Sequence, residues 1–201
     1  MEKDTPPNIA PLKGLILAGG ESRRMGFDKG LMNYHGLPQR EYLYHLLEPF
    51  TEENYISCRA GQIEDSEIPL IEDQFSDLGP FGAILTAFNQ KPYTAWLVVA
   101  CDFPLLDRSA IEQLINGREG NGIATSFLDP HTLMPEPWIT ILEPKIFPIL
   151  EDYHTRRKSS LRGVLVDYNT TVIRPTNPDI LLNANTLDEA DRLKEMLNGK
   201  R

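Results

Sequence analysis

The chain alternates short, continuously apolar runs with longer stretches in which apolar residues return every three or four positions. The first run, "GLILA" (Gly14 to Ala18), stops at Gly19-Gly20, as a strand buried on both faces of a parallel sheet does. Between Pro38 and Pro49, Tyr42, Leu43, Leu46 and Leu47 fall at helical spacing, and Pro49 closes the segment. "NYISC" reads as a second strand and "IPLIED" as a short edge strand. "GPFGAILTAFNQ" enters a helix through its proline and sets Ile84, Leu85 and Phe88 on one face. "TAWLVVACD" is the most strand-like stretch, apolar almost throughout and therefore expected to be buried on both faces.

The second half continues the alternation. Asp107 is placed to cap a helix carrying Ile111, Leu114 and Ile115. "GIATSF" and "WITILEP" read as strands, "LEPKIFPILEDY" as a helix interrupted by proline, "SLRGVLVDY" as a short helix and "TTVIRP" as a strand. Thr186 and Glu189 form a capping box before the helical pattern Leu187, Ala190, Leu193, Leu197. Alternation of this kind predicts a three-layer α/β/α Rossmann-like sandwich around a mainly parallel mixed sheet. A single domain over 13–201 is expected to follow a flexible tail, residues 1–12, with fraying at 197–201. Ligands of such folds sit beyond the carboxyl ends of the strands. That rule selects the loop after Ala18, the strand end at Cys101-Asp102, and a segment of the C-terminal third that completes the site.

Composition narrows the classes of function. Among 201 residues, 41% hydrophobic and 24% charged is ordinary for a globular protein. A formal net charge of −9 argues against general nucleic-acid binding, which needs a basic surface. A small nucleotide remains open, because one local basic pocket aided by a metal can hold a few phosphates. Cys58 and Cys101 lie in apolar runs and are expected to be buried, reduced thiols. The polar, Pro-rich start "MEKDTPPNIAPLK" does not read as a signal peptide, and no apolar run approaches the roughly 20 residues of a membrane span. A cytoplasmic protein with no membrane association is expected.

The loop after the first strand, "AGGESRRMGFDKG", carries the candidate chemistry. A Walker motif needs Gly-Lys-Ser/Thr at its end, and Gly26 is followed by Phe27, Asp28 and Lys29. The dinucleotide fingerprint needs G-x-G-x-x-G, and the adjacent glycines break that spacing. Two readings survive: a plain glycine turn with solvated charges, or an anion loop in which Gly19 and Gly20 expose backbone N–H groups beside Arg23, Arg24 and Lys29.

The same residues resemble a family signature. "LILAGGESRRMGFDKGL" is similar to L-A-G-G-x-S-x-R-M-G-x-D-K of the nucleotidyltransferases that include molybdenum cofactor guanylyltransferase, the MobA-like branch; Ser22, Arg24, Met25, Gly26, Asp28 and Lys29 all match. "DLGPFGAI" resembles the family's G-P-L-x-G-I, with Phe81 where Leu is usual, and "VVACDFPLL" its C-D-x-P-F/L strand end. "LLNANTLDEADRL" resembles the closing N-x-N-T-P-E-E, with Leu187 replacing Pro. The resemblance implies a fold of the nucleotide-diphospho-sugar transferase type. It also implies transfer of a nucleoside monophosphate from an NTP to a phosphorylated acceptor, with release of pyrophosphate.

Residue roles follow from that resemblance together with the chemistry of phosphoryl transfer. Arg24 and Lys29 are the expected catalytic cations, stabilising the triphosphate and the charge that grows on the leaving oxygen. Leu17, Ala18, Gly19, Gly20, Lys29, Asp77 and Asp102 are expected at the nucleotide, with Asp73 close to Asp77. Asp102 stands at the end of a buried strand, where a carboxylate suits Mg2+ better than a helix cap that Asp107 already supplies; Asn185 is its expected companion at the metal. Asp28 is expected to orient Lys29 by an ion pair. Asn183 and Arg162 are expected at the acceptor, Arg162 within a basic cluster with Arg156, Arg157 and Lys158, while His131 and Trp138 are candidates for lining that pocket.

The substrates implied are GTP and the molybdenum-bound pterin cofactor, and transient contact with other cofactor-biosynthesis proteins or a molybdoenzyme is compatible with them. A cytidylyltransferase acting on molybdopterin or a sugar-like phosphate, and a catalytically silent nucleotide-binding relative, are the alternatives.

Overall fold

The computed structural model describes residues 9–19, 28–64 and 66–199. Among these residues seven strands form one sheet: β1 (Leu12–Leu17), β2 (Asn54–Cys58), β3 (Leu70–Glu72), β4 (Ala95–Ala100), β5 (Ala124–Leu128), β6 (Pro135–Leu142) and β7 (Thr170–Ile173). Their order across the sheet is β3-β2-β1-β4-β6-β5-β7. Only β6 runs against its neighbours; it pairs antiparallel with β4 and with β5, while β1, β2, β3 and β4 are mutually parallel and β7 is parallel to β5. This is the mainly parallel mixed sheet that the alternation predicts.

Among the described residues six helices accompany it: α1 (Gln39–Leu47), α2 (Pro80–Gln90), α3 (Arg108–Asn116), α4 (Phe147–Thr155), α5 (Leu161–Asp167) and α6 (Leu187–Gly199). Successive strand residues face opposite ways, so the apolar runs supply two cores at once. Ile16, Leu97 and Val99 pack with Leu43 and Leu47 of α1 and Ile111 and Leu114 of α3. Leu15, Leu17, Trp96 and Val98 pack on the other face with Phe81, Ile84, Leu85 and Phe88 of α2, Leu150 of α4 and Leu161, Val164 and Leu165 of α5. β4 is thus buried on both faces, as its composition demands. α6 lies in neither core; Ala190 and Leu193 dock with Ala184 on Tyr34 and Leu105 in a small third cluster.

Helix starts and stops follow local chemistry. Asp107 Oδ1 accepts from Ala110 N at 2.8 Å and caps α3. Thr186 Oγ1 accepts from Glu189 N while Glu189 Oε2 accepts from Thr186 N at 2.9 Å, which completes the expected capping box. Prolines interrupt the segment before α4: a 3-10 turn over Pro144–Ile146 precedes the helix. The expected tail of residues 1–12 proves too long. Leu12 already belongs to β1, Pro11 O accepts from Ala95 N, and Ala10 O accepts from Arg118 Nη2 at 2.8 Å. The same Arg118 pairs bidentately with Glu143, at 2.7 and 3.0 Å, so one buried ion pair anchors the chain's entry into the sheet. Among the described residues no helix is long and apolar enough to cross a membrane.

Candidate active site

Parallel strands end on the same side, and the carboxyl ends of β1, β2 and β4 open onto a cavity of about 560 Å³. Leu17, Ala18, Gly19, Lys29, Asp77 and Asp102 line it, together with Asp28, Ser57, Arg59 and Asp73. Gly79 turns with φ 54°, a conformation that favours glycine, and brings Pro80 and Ala83 of α2 to the cavity wall. Gly20 and Arg24, like Ser22, Arg23, Met25 and Gly26, lie outside the described residues. Gly19 leaves room for Asp73: a Cβ there would stand 2.9 Å from Asp73 Oδ2 and would push that carboxylate aside.

The C-terminal motif reaches the cavity through the backbone of Asp102. Ala184 N donates to Asp102 O at 2.8 Å, which sets Asn183 and Asn185 on either side of that bond. Lys29 Nζ donates to Asn185 Oδ1 at 2.9 Å and stands 3.9 Å from Asp102 Oδ2. Glu189 Oε2 in turn accepts from Asn185 N at 2.8 Å, so the capping box of α6 also fixes the asparagine.

Asp102 is mostly enclosed, and its Oδ1 is buried with no hydrogen-bond partner. Burial pushes its carboxyl above the ordinary range, opposed chiefly by Lys29. Asn183 Oδ1 is likewise buried and unpartnered. Two orphaned oxygens on neighbouring segments are costly unless something binds them, and both are hard donors of the kind magnesium prefers. Asn185, expected at the metal, has given its oxygen to Lys29; Asn183, expected at the acceptor, keeps its oxygen open. Among the described residues no group of three or more His, Cys, Asp or Glu side chains could hold an ion alone. The donor set therefore fits a cation that shares its coordination with substrate phosphates and water.

Asp28 differs from expectation. Its Oδ1 accepts from Gly30 N at 2.8 Å and caps the 3-10 turn over Lys29–Leu31, and its Oδ2 accepts from Gln62 Nε2 at 2.9 Å with Arg40 at 3.8 Å. The carboxylate shapes the turn that carries Lys29 rather than pairing with it. Gln62 Nε2 also donates to Ala18 O at 2.9 Å, tying the first strand end to the turn.

Asp73 is the residue that motif reading undervalues. It follows β3 at the carboxyl edge, its Oδ1 accepts from Ser57 Oγ at 2.6 Å, and burial pushes its carboxyl up. Asp77 lies in the 3-10 turn over Ser76–Leu78 and is exposed at the rim. Arg162 does not line the cavity; it sits on α5 with Nη2 3.4 Å from Glu136 Oε2. Two others of the basic cluster are engaged locally, Arg156 with Asp152 at 3.0 Å and Lys158 over the Tyr153 ring. His131 is exposed in the β5–β6 loop, its amide donating to Asp129, and Trp138 is half-buried against both cores. Both thiols, Cys58 and Cys101, are buried and unpaired, as expected.

Comparison with known proteins gives the family and the fold. The MobA-like NTP transferase domain matches residues 14–171. A molybdenum cofactor guanylyltransferase of Pseudomonas putida is 31% identical over 167 residues, 80% of this chain and 85% of that protein. A molybdenum cofactor biosynthesis bifunctional protein of Synechocystis is 37% identical over 129 residues, which span 63% of this chain but only 37% of that longer protein. The crystal structure of molybdopterin-guanine dinucleotide biosynthesis protein A from Archaeoglobus fulgidus superposes with a TM-score of 0.77 at 22% identity, covering 93% of this chain and 99% of that one.

Proposed function

The chain belongs to the MobA-like NTP transferase family and is a nucleotidyltransferase, and from that premise we propose that it moves GMP from GTP to the phosphate of the molybdenum-bound pterin cofactor. The observation that carries the reading is the convergence of Lys29, Asn185 and Asp102 at 2.9 and 3.9 Å beside the cavity. In the reaction an oxygen of the acceptor phosphate attacks the α-phosphorus in line. The bond from that phosphorus to the bridging oxygen breaks, and pyrophosphate leaves with the electron pair.

Lys29 Nζ stabilises the negative charge that grows on the non-bridging and leaving oxygens, with Arg24 as the loop's second cation. Gly19, which shares the cavity with Pro80 at the amino end of α2, would offer a backbone N–H to the phosphates, the role expected of Gly20 as well. Asp102, with Asn183 as second oxygen, would hold Mg2+. When bound, that ion would neutralise part of the triphosphate's charge.

Guanine is favoured by Asp73. Guanine presents two adjacent N–H donors, N1–H and the 2-amino group, that a carboxylate accepts as a pair; cytosine has only its amino group to offer. With Oδ1 held by Ser57 and the space beside Oδ2 kept clear by Gly19, Asp73 is poised as that acceptor. The test is pyrophosphate release with magnesium, molybdopterin and either labelled GTP or labelled CTP. Acceptor-dependent release from GTP is expected; release from CTP alone would make the protein a cytidylyltransferase, and release from neither would leave the silent relative.

A further inference from the structure

β4 divides the carboxyl edge of the sheet into two neighbourhoods. On one side lie β1, β2 and the cavity; on the other lie β6 and β5, with α5 packed across β6. Because β6 is antiparallel, its first residues, not its last, arrive at the edge where Asp102 stands. Glu136, second in β6, is 5% exposed there.

A carboxylate this deeply buried needs partners, and Glu136 has two. Its Oε1 accepts from Trp138 N at 3.0 Å, and its Oε2 accepts from Arg162 Nη2 at 3.4 Å. Burial pushes its carboxyl up; Arg162 opposes the rise, while Asp102 and Asp129 add to it, which puts Glu136 within the electrostatic reach of the proposed metal ligand.

Arg162 is the unusual member of the pair. Its side chain is 38% exposed, yet its Nε is buried with no hydrogen-bond partner. A guanidinium has five N–H donors in a rigid plane, and Glu136 occupies one nitrogen of it. That one orphaned donor, on a side chain still partly exposed, leaves the guanidinium with unfilled capacity on the β6 side of Asp102, and a planar guanidinium matches the oxygens of a phosphate.

Resting on the reading of the acceptor above, we propose that Glu136 is a positioning residue: it holds the Arg162 guanidinium so that the open N–H groups receive the acceptor's phosphate on the β6 side of Asp102, opposite the nucleotide. An exposed arginine loses rotamer freedom when it binds an anion, and fixing it beforehand removes part of that cost. The donor's phosphates and the acceptor's phosphate then approach the metal site from different halves of the sheet, as an in-line attack requires.

The test is steady-state kinetics on Glu136→Ala, Glu136→Gln, Arg162→Ala and the Ala double variant, with magnesium, GTP and molybdopterin varied separately, and with GTP affinity measured by calorimetry. Glu136→Ala should raise the acceptor KM about tenfold with kcat at saturating acceptor and GTP affinity both within about twofold, the pattern of lost binding rather than lost chemistry. Arg162→Ala should raise the acceptor KM at least as much, and the double variant no further, because the two act as a unit. Should Glu136→Ala fail to fold, Glu136→Gln carries the test with an expected acceptor KM rise of about threefold.

An unchanged acceptor KM in the Glu136 variants while Arg162→Ala raises it, additive effects in the double variant, or an equal loss of GTP affinity would overturn the positioning role and leave the transferase reading intact. An unchanged KM in Arg162→Ala would remove both residues from the acceptor site. No acceptor-dependent pyrophosphate from the unsubstituted protein would overturn the transferase reading itself, and this inference with it.

Discussion

Lys29 Nζ has two partners, Asn185 Oδ1 and Asp102 Oδ2, so on the proposed reading a triphosphate would meet a cation that is already oriented. Such preorganised charge is worth about a hundredfold or more in turnover, and Lys29→Ala is expected to lower kcat by at least that factor in the pyrophosphate assay. Asp73 carries the opposite burden. Its carboxyl lies above the ordinary range because burial disfavours the charged form. The folded protein therefore binds this proton more readily than the unfolded chain. The ionised group detracts from stability above that raised pKa, and the penalty is relieved as pH falls through it. Asp73→Asn should accordingly raise the melting temperature of the ligand-free protein at pH 7 to 8, a gain that shrinks on acidification, while discrimination between GTP and CTP collapses. A melting temperature unchanged at neutral pH would contradict the burial argument.

At the scale of elements, α6 is the lightly held part. It touches neither main core and rests on Tyr34 and Leu105 through Ala190 and Leu193, yet the segment before it supplies Asn183 and Asn185. Its capping box is therefore part of the site's support. Thr186→Ala removes the cap oxygen, a change of about 1 kcal/mol, and should speed hydrogen exchange through 183–199 and lower turnover several-fold without altering the main cores. Strands and helices of this fold are largely legible in the sequence, because burial on both faces leaves uninterrupted apolar runs such as "WLVVA" and caps are local. Side-chain pairing is less so. Nothing in linear order shows that Asp28, adjacent to Lys29, spends its oxygens on Gly30 and Gln62, or that Lys29 reaches across 156 positions to Asn185. The signal for Asp73 is present, since it ends a strand at the carboxyl edge, but motif spacing draws attention to Asp77 instead.

Over the whole molecule, charge and anchoring matter most. The chain has a formal net charge of −9, and Asp28, Asp73, Asp77 and Asp102 all line the cavity. A polyanion entering such a site needs a cation's help, so chelation with EDTA is expected to weaken GTP binding by at least about tenfold in calorimetry, with magnesium restoring it. Far from that edge, Arg118 and Glu143 are almost fully buried, with side-chain exposures of 8% and 3%, and they join the chain's start to the end of β6. Arg118→Ala leaves a buried carboxylate unpaired, at a cost of about 3–5 kcal/mol, read as a large fall in the denaturant midpoint.

The single antiparallel strand has a consequence for how such a protein can diversify. The described residues that line the cavity all lie before position 103, and the Glu136–Arg162 pair lies after position 134. Reversing β6 brings those late residues to the same edge without threading them through the donor half. On the proposed reading, a lineage can therefore exchange the stretch from β5 to α5, and with it the acceptor, while inheriting the cavity at the ends of β1, β2 and β4 unaltered.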